Sequence, residues 1–168
     1  GAARMAPAPL GKHLWGTVVL GSRGQTLVID CGGRTGESAA DRAAEYLLSQ
    51  NIYRVDALAL THFDADHAGG AQYLLSRVKA QTLLLPEGEE ERVIPFGAGT
   101  LRLFPYTGGN SRQENSMAIL FESENCVILV TGDLDLAGER RLVGHGNIRY
   151  VPTHLSATGD WMAARRPR

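Results

Sequence analysis

Two histidines and two aspartates fall within six positions of this chain, where THFDADHAGG sets His62, Asp64, Asp66 and His67 almost side by side. Carboxylates this close repel one another, and burying charged groups together is costly unless a cation sits among them. A divalent metal supplies that charge, and both residue types are ordinary ligands for one. The residues just before the cluster, 55–60 (VDALAL), read as a short buried strand, and the pair Gly69 and Gly70 follows it. The cluster is therefore expected on a loop at a strand's carboxyl end, where open α/β sheets place their chemistry. A hydrogen-bonded surface His–Asp pair is the plain alternative, and four such residues at this spacing argue against it. A calcium loop is the nearer rival. Asp64-x-Asp66-x-x-Gly69 opens like an EF-hand, but its fifth and twelfth positions are Ala68 and Leu75, which offer no side-chain oxygen. Asp133-x-Asp135-x-x-Gly138 fails the same test at Ala137 and Gly144.

Strands and helices alternate through the rest of the chain. Residues 17–20 and 26–30 read as a hairpin across Gly21, Ser22, Arg23 and Gly24, and the second strand runs into Asp30, Cys31, Gly32 and Gly33. A helical pattern over 38–50 follows, with Ala43, Leu47 and Leu48 on one face and Ser38 as N-cap. Beyond the metal loop, the spacing predicts a helix from about 68 to 78, a strand over 82–86 and a solvated GEEER loop. Residues 93–96 and 100–105 then form a second expected hairpin. Residues 117–121 and 126–130 read as a strand pair ending in Thr131, Gly132 and Asp133. A helix over about 137–143 and a strand near 148–151 lead on to Thr153 and His154. Each half thus ends a β-hairpin in an aspartate and enters a helix. This order predicts an α/β fold of two sheets packed face to face with helices outside.

The 168 residues, 43% hydrophobic and 21% charged, are those of one ordinary soluble domain large enough to bury a core. A net charge of −1 provides no global basic field toward nucleic acid or anionic lipid. Arg165, Arg166 and Arg168 read as a solvated end, and no apolar run reaches bilayer-spanning length. The opening GAARMAPAPLG lacks the apolar centre of a signal peptide. The expected division is a linker or expression remnant over 1–14, one domain over 15–155 and an irregular tail over 156–168. Cys31 and Cys126 lie beside strand patterns outside any C-x-x-C pair; they read as small buried thiols, with a disulfide left open. Gly32-Gly33-x-x-Gly36 has neither the spacing nor the lysine of a P-loop.

Taken together, these residues resemble the metallo-β-lactamase fold, a four-layer αββα sandwich with metals at one edge between its sheets. That family's His-x-His-x-Asp-His stands here as His62-x-Asp64-x-Asp66-His67. Aspartate in the second place, followed by Ala-Gly-Gly, is similar to the C-terminal domain of ComEC-type DNA-uptake competence proteins. LVIDCGG at 27–33 resembles the family's first motif, in which Asp30 helps orient the metal loop. ENSMAILFE at 114–122 resembles its Asn/Ser strand, and ILVTGD at 128–133 its bridging-aspartate motif. The resemblance spans roughly residues 15–143. It implies a metal-dependent hydrolase, a phosphodiesterase or nuclease-like domain of a competence protein, in which ions make water nucleophilic near neutral pH. His62 and Asp64 would serve one metal, Asp66 and His67 a second, and Asp133 would bridge them, with His154 as a further ligand. Asp66, Asn115 and Ser116 would be catalytic, the last two neutralising charge on phosphoryl oxygens. One or two ions are implied. Carboxylate in place of imidazole hardens the site toward manganese or magnesium, with zinc still compatible. Single-stranded DNA is the implied substrate. In the parent proteins this domain lies outside the membrane, beside a membrane-embedded channel domain, whereas this chain alone is expected to be soluble.

The carboxyl end departs from the pattern. Where ComEC-type domains continue into Gly-His-His-Gly-Ser, this chain reads VPTHLSATG. His154 and Ser156 keep their places, while Thr153 and Leu155 replace a histidine and a glycine; His145 is an alternative counterpart. The sandwich is therefore expected to be truncated here, short of a strand and its covering helix. That would leave the second metal short of ligands and a sheet edge open to homodimer pairing. The rival function is a non-catalytic module acting as scaffold or dimerising domain. A third reading is hydrolysis of a thioester, lactam or lactone, whose enzymes more often keep the histidine that Asp64 replaces.

Overall fold

The computed structural model describes residues 4–7, 14–20, 24–33, 38–63, 68–88, 90–106, 116–122 and 127–130. In this described part, the single domain expected over 15–155 consists of two compact units that meet in sequence at Leu85 and Pro86. Each carries one sheet.

The first sheet holds β1 (Arg4–Pro7), β2 (Leu14–Leu20), β3 (Thr26–Gly33), β4 (Arg54–Ala59) and β5 (Lys79–Leu84), in that order. β1, β2 and β3 pair antiparallel. β3, β4 and β5 pair parallel, which requires crossovers, and helices α1 (Ser38–Ser49) and α2 (Ala71–Arg77) provide them. Both crossovers step the same way across the sheet, so a single handedness carries both helices to one face. There Val28 and Leu58 meet Ala40, Ala43, Ala44 and Leu47 of α1 and Leu74 of α2 in one dry cluster. Their neighbours Leu27, Ile29, Ala57 and Ala59 are buried too. Parallel strands dry on both sides are apolar without alternation, which is why VDALAL reads as it does.

α1 stops through two backbone bonds, from Asn51 N–H to the Leu48 carbonyl (3.0 Å) and from Ile52 N–H to the Leu47 carbonyl (2.9 Å). Asn51 takes a φ of 59°, the left-handed conformation this cap requires, and Ile52 turns back to pack with Leu47 in the core. On the outer side, Asp41 accepts hydrogen bonds from Tyr73 and Arg77, and Arg77 also reaches Glu45. These ion pairs are solvent-screened and align the two helices more than they stabilise them.

Several boundaries differ from the sequence-based expectation: β2 begins at Leu14 rather than 17 and β3 runs on to Gly33 rather than 30. Residues 4–7, assigned to a linker, form β1 along β2, with Pro7 opposite Thr17. A strand at the end of a sheet is held by backbone pairing and tolerates proline, so it leaves no apolar signature. β5 begins at Lys79 rather than 82, because an end strand can keep Lys79 and Gln81 in water. α2 begins at Ala71 rather than 68, after Gly70. The helix expected over 137–143, the strand near 148–151 and the tail over 156–168 lie outside the described residues.

The second sheet is an antiparallel meander of β6 (Arg92–Phe96), β7 (Gly99–Tyr106), β8 (Ser116–Glu122) and β9 (Val127–Val130). β6 and β7 turn through Gly97 and Ala98, with Gly97 at φ 60° in the first turn position, where two-residue hairpins favour glycine. Met117, Ala118, Ile119, Leu120 and Phe121 of β8 are all buried, and Phe121 meets Phe96 edge to face at 6.1 Å.

Candidate metal centre

Parallel pairing sets the carboxyl ends of β3 and β4 next to each other, so residues leaving one strand reach residues leaving the other. Along β2, Gly16 pairs with Cys31 and Thr17 with Ile29, which makes Asp30 the extra residue of a β-bulge. Its φ of 59° is left-handed, a conformation that aspartate adopts more readily than most residues. Bulges re-aim side chains, and this one delivers the Asp30 carboxylate to Thr61. One oxygen accepts the Thr61 N–H and the other the Thr61 hydroxyl, each at 2.7 Å. Asp30 is 4% exposed and Thr61 fully buried, so these charge-assisted bonds form away from water. His62 follows directly and is itself only 3% exposed. The next side chain, Phe63, is 53% exposed.

The far end of the loop is seated against the same strand. A methyl group on Gly70 would collide with the carbonyl oxygen of Cys31 and with the Cβ of Ala40. Gly70 caps α2 without a side chain, and its carbonyl accepts the Leu74 N–H at 2.9 Å. The segment from Thr61 to Gly70 thus begins on Asp30 and ends on Cys31, two consecutive residues.

His62 is the one metal-ligand candidate among the described residues. Asp64, Asp66, His67, Asp133 and His154 lie outside them, as does Asn115. Ser116 opens β8 opposite Tyr106. Among the described residues, no three His, Cys, Asp or Glu side chains gather at one place. A divalent ion nevertheless suits what is present. His62 is a dry imidazole on a root fixed by Asp30, and the donors that follow it in sequence are the mixture of imidazole and carboxylate that manganese or zinc accepts. Thr61 and Gly70 carry roles that the sequence analysis did not assign. Thr61 was marked only by a hydroxyl residue standing between an apolar run and the ligands. Gly70 was marked by a glycine where a helix start favours a capping side chain.

Cys31 is free and fully buried, as expected of a small core thiol; Cys126 lies outside the described residues. Burial, with the Asp30 charge adding to it, pushes the Cys31 thiol up to about 12 from its ordinary 9.0. The folded state therefore keeps a proton that the unfolded chain gives up above pH 9. Stability from this source is full below that pH and is lost as pH rises toward 12. The urea midpoint is expected to fall as pH rises from about 9 toward 12, and to fall less steeply in Cys31→Ala. Equal slopes in the two proteins would refute the assignment.

Comparison with known proteins gives concordant results. The model of the metallo-beta-lactamase superfamily matches residues 17–106. ComE operon protein 3 of Bacillus subtilis (strain 168) is 27% identical over 124 residues, covering 58% of this chain. The chain spans only 16% of that protein's length. Among solved structures, the chemotaxis sensor ODP, described as a peroxy diiron species, superposes with a TM-score of 0.56 at 17% identity, over 72% of this chain and 57% of its own. MEM-A1, a subclass B3 metallo-beta-lactamase from a soil metagenome library, gives 0.54 at 16% identity, over 69% and 55%. The metallo-beta-lactamase fold protein YhfI from Bacillus subtilis gives 0.56 at 13% identity, over 79% and 63%. Identities this low speak for the fold.

Proposed function

Because the chain belongs to the metallo-β-lactamase superfamily, we propose that it is a metal-dependent phosphodiesterase acting on single-stranded DNA, a nuclease-like domain of a competence protein. The observation that carries this reading is the seating of His62, buried at the carboxyl end of β4 and rooted through Thr61 on Asp30, at the head of the Asp64, Asp66 and His67 run. Members of the superfamily are mostly metal-dependent hydrolases. The fold alone does not choose the reaction, since its solved examples include both a diiron sensor and a lactamase. The choice of DNA is supported by the likeness to ComE operon protein 3 and by aspartate, rather than histidine, at position 64.

In this reading His62 and Asp64 would hold one ion and Asp66 and His67 a second, with Asp133 and His154 as further ligands. A bound divalent ion supplies acidified water and neutralises phosphoryl charge. Asp66 would accept the proton of the attacking water. Asn115 and Ser116 donate hydrogen bonds to phosphoryl oxygens, and Phe63 offers its ring to an unpaired base. Among the described residues no helix is long and apolar enough to cross a membrane. In the whole protein we place this domain outside the membrane, beside a channel-forming domain.

Elemental analysis of the purified chain tests the reading first. One or two manganese or zinc ions per chain are expected, and manganese added to stripped protein is expected to restore cleavage of a single-stranded oligonucleotide. A chain that takes up no divalent ion at neutral pH is the scaffold or dimerising module instead.

A further inference from the structure

We propose that Gly70 is a positioning residue for the metal site, its missing side chain letting the chain just beyond the ligand run seat against β3 and α1; this rests on the metal reading above. Asp64 and Asp66 carry like charges two positions apart, and these repel one another until a cation arrives. The fold fixes the chain on each side of them. At the entry, the Asp30 carboxylate grips both the N–H and the hydroxyl of Thr61. At the exit, Gly70 lies so close to the Cys31 carbonyl oxygen and the Ala40 methyl that a Cβ has no room. Asp30 and Cys31 are neighbours in one bulge, so the distance between the loop's two ends is set by a single rigid strand. Preorganisation of this kind is what a supporting shell contributes to a metal site.

A side chain at position 70 forces the exit away from β3 while leaving every ligand in the chain. Manganese titration of the full chain by calorimetry tests this. Gly70→Ala is expected to remain folded by circular dichroism and to bind manganese about tenfold more weakly, or worse. Leu74→Ala, which opens the helix core but keeps the backbone bond to the Gly70 carbonyl and leaves Gly70 its lack of a side chain, serves as the stability control and is expected to lose melting temperature but keep its affinity. Ala40→Gly removes the methyl that Gly70 lies against and is expected to weaken binding in the same direction by a smaller factor. Should Gly70→Ala fail to fold, Ala40→Gly decides: weakened binding supports the proposal and parental affinity overturns it. A folded Gly70→Ala with parental affinity also overturns it, as does an equal loss in Leu74→Ala at matched stability. In those cases the metal site itself stands. A parent chain that binds no manganese removes both readings together.

Discussion

Alanine at position 62 is expected to lower manganese-stimulated cleavage of single-stranded DNA by about a hundredfold or more, a loss of about 2.7 kcal/mol in transition-state stabilisation. The size of the effect follows from where His62 stands. Its imidazole is buried directly beyond β4, so no water-exposed neighbour can take its place without moving the strand end. Removing the ring also empties a dry position, and part of any loss would then reflect stability. Asp66→Asn separates the two effects because it preserves shape while removing the charge that the proposed mechanism assigns to holding the ion and accepting a proton. It is expected to lose activity on the same scale with a melting temperature close to that of the parent. Cleavage rates and thermal melts measured side by side provide the check. Parental cleavage by both variants would end the nuclease assignment.

Loss of the Asp30 carboxylate is expected to cost about 3 kcal/mol or more of folding stability and to weaken metal binding about tenfold. Three effects combine in Asp30→Ala. Two buried hydrogen bonds to Thr61 disappear, leaving a backbone N–H and a hydroxyl in a dry place. Alanine also resists the left-handed φ of 59° that the bulge requires. The amide variant is gentler: Asp30→Asn tolerates that conformation and still accepts the Thr61 N–H, so it is expected to lose only part of the stability. Urea unfolding of the parent and both variants, with a manganese titration of each, measures the series. If Asp30→Ala unfolds at the parental midpoint, the bulge does not anchor the loop.

Much of the architecture was legible because it is written in short runs of residues. The β2–β3 and β6–β7 hairpins, the extent of α1 and the strand before the metal loop follow from local apolar patterns and turn glycines. Together they are the strands and helices of the metallo-β-lactamase α/β fold. β1 and the polar start of β5 were not legible, because strands at the end of a sheet draw their stability from a neighbour's backbone rather than from their own side chains.

The candidate site divides along the same line. The candidate cluster was visible in one dimension, since His62, Asp64, Asp66 and His67 sit within six positions and like charges this close favour a cation. What seats Thr61 and Gly70, on either side of it, was decided only in three dimensions. Thr61 lies 31 residues from Asp30, and Gly70 meets Cys31 and Ala40 across similar separations. Those meetings exist because β3 and β4 run parallel in one register and a bulge turns a single aspartate toward its neighbour. Chemical identity is a property of adjacent residues, whereas the contacts that seat Thr61 and Gly70 come from elements that are distant in the chain and adjacent only once folded.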